Sequence, residues 1–175
     1  MFLTTHAAAG ILIASKVTDP YLVFSLAFAS HFVLDFIPHG DESLYRDHEW
    51  KVNKKYRHVV YYNAIDFGVL VGLTLWSYRF TDPSQTGLML LGVLGGVAPD
   101  FLSYLFPVIH ERMSWLFFVR WLYAVTKPTG LRYLVRAQNW VHQVLHHEII
   151  RRDIPFRYGL ALQVVLMLVF LSASR

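Results

Sequence analysis

The sequence predicts an all-α fold: a polytopic membrane helical bundle with two helical hairpins, interfacial amphipathic helices and a C-terminal span. Three observations carry that expectation. Charged residues make up only 16% of the 175 residues, hydrophobic residues make up 55%, and mean hydropathy is +0.38. A globular domain carries about 25% charged residues, so this chain has too little charge to solvate its whole surface. Several apolar stretches approach the roughly 20 residues that a membrane-crossing helix needs. The basic residues crowd into two stretches that helical hairpins would place on one side.

Leu3–Ser15 is a short apolar piece. It has no positive leading region and carries His6 inside its apolar run, so it reads as part of the mature fold rather than a targeting segment. Lys16-Val17-Thr18-Asp19 reads as a tight turn into a proline-started helix, Pro20–Ile37. Ala7-Ala8-Ala9-Gly10 gives the first helix a small-residue face that lets its partner approach closely. Pro38–Arg57 is charged, without an apolar period, and is expected to be a loop or lid. His58–Tyr78 and the glycine-rich Gln85–Ile109 form the second hairpin, turned by Arg79–Ser84 with Asp82-Pro83 as breaker. Residues 111–154 are expected to lie in the interface. Within them Leu131, Leu134, Val135, Val141, Leu145 and Ile149 recur at helical spacing. Pro155–Ser172 closes a single domain, 1–175.

Orientation follows from charge. Arg46, Lys51, Lys54, Lys55 and Arg57 share a side with Arg112, Arg120, Lys127, Arg132, Arg136, Arg151, Arg152 and Arg157. Lys16, Arg79 and Arg175 fall opposite. The positive-inside rule makes the crowded side cytoplasmic, with the N-terminus also cytoplasmic, and the plasma (inner) membrane is the expected location. The sequence pI of 9.4 is shared by nucleic-acid binders, but the low charge density favours lipid headgroups as partner, and no nucleic acid is expected.

The chain has no cysteine, which excludes disulfides, thiolate metal sites and cysteine nucleophiles. It has nine histidines, and this topology places all of them on or near the cytoplasmic side. His6 and His31 lie almost equally far from the turn at Thr18, so antiparallel packing brings them to one depth. Asp66 and Asp100 are likewise matched about Asp82-Pro83. Carboxylates within a span are costly and so are functional candidates.

In His31-x3-Asp35 the i,i+4 spacing puts imidazole and carboxylate on one helical face, and Pro38 then presents His39 and Asp41. Gly95-Gly96-Val97-Ala98-Pro99-Asp100 loosens a helix just before an acid. His142 and His146 again share a face, with either His146 or His147 a bystander. Each pair alone is equally a surface hydrogen bond. Together, at one depth, they suit a divalent metal, zinc first, in two or three ions.

Thr5-His6-Ala7-Ala8-Ala9-Gly10, Ser30-His31-Phe32-Val33-Leu34-Asp35 and Gly96-Val97-Ala98-Pro99-Asp100 resemble motifs of the YdjM-type membrane-bound metal-dependent hydrolases. They are more distantly similar to the zinc-dependent phospholipase C and single-strand nuclease superfamily. His31, Asp35, Pro38 and His39 echo one motif of that superfamily, and Pro99-Asp100 echoes another. His142-x3-His146 falls where it has His-x3-Glu. The resemblance implies an all-helical fold and phosphoester hydrolysis at a zinc cluster. The expected ligands are His6, His31, Asp35, His39, Asp100, His142 and His146, with Asp41 and Asp66 in reserve. Asp100 and Asp35 would be catalytic, Asp100 as bridge or base, and Arg132 and Arg136 would hold the substrate phosphate. Two rival classes are a metal or proton transporter using Asp66 and Asp100, and a non-catalytic membrane scaffold.

Overall fold

The structure is a computed structural model. It describes residues 1–40, 54–102, 115–117, 120–121, 124, 133, 136–138, 140–141, 144 and 154–175, with the backbone alone at 54–60. Its longer helices are α1 (Leu3–Lys16), α2 (Pro20–Asp35), α3 (Lys54–Phe80), α4 (Thr86–Asp100) and α5 (Phe156–Ala173). Among the described residues there is no strand, and the fold is all-α. Most of the expected 38–57 loop and of the expected 111–154 interfacial helices lies outside the described residues. Lys54–Arg57 belong to α3 rather than to a loop.

Local chemistry sets the helix ends. The Asp19 carboxylate accepts the Leu22 N–H at 2.9 Å, and Pro20 opens α2 with its φ already helical. α2 stops at Asp35, and Pro38 bars its continuation. The chain then turns at Gly40, whose φ of +83° lies in the left-handed region that side chains disfavour. Between α3 and α4, Asp82 Oδ1 accepts both the N–H and the Oγ–H of Ser84, at 2.8 and 2.6 Å. These bonds hold the Asp82 carboxyl below the ordinary aspartate range.

α1 and α2 form the expected hairpin. The second pair behaves otherwise: α4 packs chiefly on α1 and α2 and only marginally on α3. The cause is small residues. A β-carbon on Gly92 would strike the Gly10 carbonyl, one on Gly10 the Gly92 carbonyl, and one on Gly96 the His6 carbonyl. α1 and α4 therefore meet backbone to backbone, an approach only such residues permit. α3 and α5 flank this trio. Leu70 and Leu73 join Ala7, Ala8, Ile11, Met89 and Val93 in the apolar core, with Met167, Phe170 and Leu171 packed against it.

Beside this apolar core several polar groups are buried, and many large apolar side chains are exposed. His6, His31, Asp35, His39, Asp66 and Gln163 are buried, while Leu75, Leu94, Val165, Leu168 and Val169 are exposed. α5 is long and apolar enough to cross a membrane, at about 27 Å for its length. Only 11% of its apolar window is buried, whereas a core helix of a globular protein hides most of its surface. α2 and α4 are shorter apolar helices.

Candidate metal centre

Four helix ends meet at one end of the bundle: the starts of α1 and α5 and the finishes of α2 and α4. Asp35, buried at the last turn of α2, is the hub. Its Oδ2 lies 3.1 Å from His31 Nε2, and its Oδ1 lies 3.3 Å from His6 Nε2. The Met1 amino group donates to Asp35 Oδ1 at 2.9 Å and sits 2.8 Å from His39 Nε2. Asp100 Oδ1 reaches to 3.6 Å from His31 Nε2. The i,i+4 geometry expected of His31 and Asp35 is therefore formed.

Two rings are aimed by backbone carbonyls. The Gly96 carbonyl, 2.9 Å away, accepts the His31 Nδ1–H. Pro99 stands three residues further along α4, inside the helix, where its ring disturbs the regular ladder. A carbonyl has no proton to give, so His31 Nδ1 carries the hydrogen. Its Nε2 faces both Asp35 and Asp100, and in a neutral ring it would present a lone pair to them. Such convergence of lone pairs needs a cation between them, either a proton on the ring or a metal ion. His39 is set the same way: its Nδ1–H donates to the Ile37 carbonyl at 2.7 Å.

His6 is fully buried and stacks on His31, with ring centroids 3.9 Å apart and planes at 24°. Among the described residues its Nδ1 meets no hydrogen-bond partner, and its Nε2 faces the Asp35 carboxylate at 3.3 Å. Burying polar atoms without partners costs about 1–3 kcal/mol, a cost that ligation would offset. His6, His31 and Asp100 each offer one ligand atom within 4.8 Å of the others. Two imidazoles and a carboxylate are a donor set that zinc accepts, and three protein ligands are typical of sites that keep a position open. The residues fit the ion.

The sequence-derived candidates divide accordingly. His6, His31, Asp35 and Asp100 come together. His39 stands one step behind them, across the Met1 nitrogen. Asp41, Arg132, His142 and His146 lie outside the described residues. Arg136 is exposed, two positions before Gln138, whose amide donates to the Pro99 carbonyl at 3.1 Å.

Asp66, a reserve ligand in the sequence reading, bonds the start of α1. Its Oδ2 accepts the Leu3 N–H at 2.7 Å, and its Oδ1 accepts both the Thr4 N–H and the Thr4 hydroxyl. It caps α1 from α3. Sequence reasoning passed over Gln163 altogether. Its Oε1 accepts the Phe2 N–H at 2.6 Å and its Nε2 donates to the His39 carbonyl at 3.0 Å. The available signal was an amide standing alone in an otherwise apolar span. Compared with protein-family models, curated proteins and solved structures, the chain matches none.

Proposed function

We propose that the chain is an integral membrane protein, a polytopic helical bundle, with a divalent-metal centre, zinc first, at the cytoplasmic end. In this reading it hydrolyses a phosphoester, in a lipid or presented at the lipid surface. The observation that carries the metal reading is the pair His6 and His31. Among the described residues the Nδ1 of one buried ring meets no hydrogen-bond partner, and the other ring sets its Nε2 3.1 Å from Asp35 and 3.6 Å from Asp100. The exposed apolar side chains and the outward-facing α5 support the membrane reading. The alternation of basic stretches supports the orientation. The resemblance to YdjM-type hydrolases supports the reaction class.

A bound divalent ion would polarise the phosphoryl group and lower the pKa of water toward about 7, supplying the nucleophile. The chain's own residues do the rest. His6, His31 and Asp100 supply ligand atoms. Asp35 holds the two imidazoles in register and balances charge. Asp100, half-buried where the others are closed off, stands on the side a substrate can reach and takes up the proton released in the attack. Transport through Asp66 is disfavoured, because its carboxylate is committed to the α1 backbone.

The test is elemental analysis of detergent-purified protein, beside a His31→Ala, Asp35→Ala double variant. The expected result is stoichiometric divalent metal in the wild type and its loss from a variant that stays monodisperse. That result justifies a phosphoester substrate screen. A wild type that holds no metal, even after reloading with zinc and manganese, overturns the hydrolase reading in favour of a scaffold.

A further inference from the structure

The first turn of α1 raises a problem that its own residues do not solve. A helix start leaves its first N–H groups without intrahelical acceptors. The residue at the cap position is Phe2, whose side chain accepts nothing. This start is inside the bundle, where unsatisfied N–H groups cost several kcal/mol each in the absence of water.

The acceptors come from two other helices. Gln163 on α5 takes the Phe2 N–H, and Asp66 on α3 takes those of Leu3 and Thr4. Both side chains are buried. Each has a second attachment. Asp66 also takes the Thr4 hydroxyl, two residues before His6. Gln163 spends its amide hydrogen on the His39 carbonyl. One turn below Gln163, a β-carbon on Gly159 would collide with that same carbonyl, so α5 lies directly under His39.

We propose that Asp66 and Gln163 are positioning residues of the metal centre. Asp66 fixes the depth and rotation of the α1 turn that presents His6, and Gln163 ties that turn to the segment carrying His39. The inference rests on the metal reading above. It assigns a role to two polar groups within apolar helices, neither of which touches the ion. Groups that orient metal ligands typically alter affinity or activity by roughly 10–100-fold when removed.

The experiment uses the full-length protein in detergent, titrated with Co(II) in competition with a chelator. Visible absorption reports coordination, and thermal unfolding reports the fold. Asp66→Ala and Gln163→Leu are expected to weaken Co(II) binding by roughly 10–100-fold and to change the absorption bands. Asp66→Asn, which keeps one acceptor, falls between Asp66→Ala and the wild type. Ser77→Ala, also buried on α3 but about three turns from Asp66, leaves both readouts unchanged. In a His6→Ala background, Asp66→Ala adds no further loss, because the two act as a unit. If Asp66→Ala does not fold, Asp66→Asn and Thr4→Val carry the same comparison with smaller shifts in the same direction. Variants that unfold at lower temperature, yet bind Co(II) with wild-type affinity and spectrum while folded, overturn the inference and leave the metal reading standing. A wild type that binds no Co(II) overturns both.

Discussion

Asp35 faces three partners at once: the Met1 nitrogen, His6 and His31. Truncating it strips all three of a common buried anion. Asp35→Ala is therefore expected to cost about 3–5 kcal/mol of stability, read as a lowered unfolding midpoint in detergent. Asp35→Asn preserves shape and is expected to fold, but to hold less than stoichiometric metal by elemental analysis. At this scale the sequence was legible wherever the partner is local. His31 and Asp35 sit one helical turn apart, and periodicity alone puts them on one face. Asp66 was not legible in that way. Its acceptor capacity goes to backbone N–H groups some 60 positions away, and a backbone group leaves no mark in the residue alphabet.

Close packing of α1 on α4 depends on side chains that are absent. Gly96→Ala places a methyl against the His6 carbonyl, and neither helix can yield without moving a ligand. The expected cost is about 1–3 kcal/mol, with weaker metal binding beside it. Among the described residues, Gly68→Ala and Gly72→Ala on α3 meet nothing within 4 Å. There the helix propensity of alanine should instead add about 0.5–1 kcal/mol. Thermal unfolding of the three variants separates the two cases by sign. The turn between α3 and α4 makes a pH prediction. The Asp82 carboxyl is held below its ordinary range by Ser84, so its contribution is present above the unfolded value and fades as pH falls through the lower folded one. Carboxyl-carbon NMR should show Asp82 titrating below an ordinary aspartate, and Ser84→Ala should move it back up. The turn itself was readable from Asp82-Pro83. The partner of α4 was not, because adjacency in sequence suggested α3 whereas the glycines admit α1 and α2.

Across the whole molecule, a chain without native cysteine permits a clean topology test. Single substitutions Lys16→Cys, Ser84→Cys and Ser174→Cys are expected to react with an impermeant thiol reagent from outside the cell. Arg157→Cys is expected to react only once the cytoplasmic side is opened. Labelling of Arg157→Cys and Ser84→Cys from the same side would overturn the proposed orientation. On the proposed membrane reading, the wild-type protein should also stay with the membrane pellet under alkaline carbonate.

By itself the sequence determined the helical class, the turns at Asp19-Pro20 and Asp82-Pro83, the shared depth of His6 and His31, and the pairing of His31 with Asp35. These rest on composition, chain punctuation and helical period, which act over one or two turns. Tertiary structure alone decided that α4 leaves α3 for α1 and α2, and that the Gly96 carbonyl sets the His31 tautomer. It also decided that Asp66 and Gln163 bond backbone groups at the start of α1 and at His39. Each of these depends on which surfaces can approach within a few ångströms, a property of the folded packing that no local stretch of residues contains.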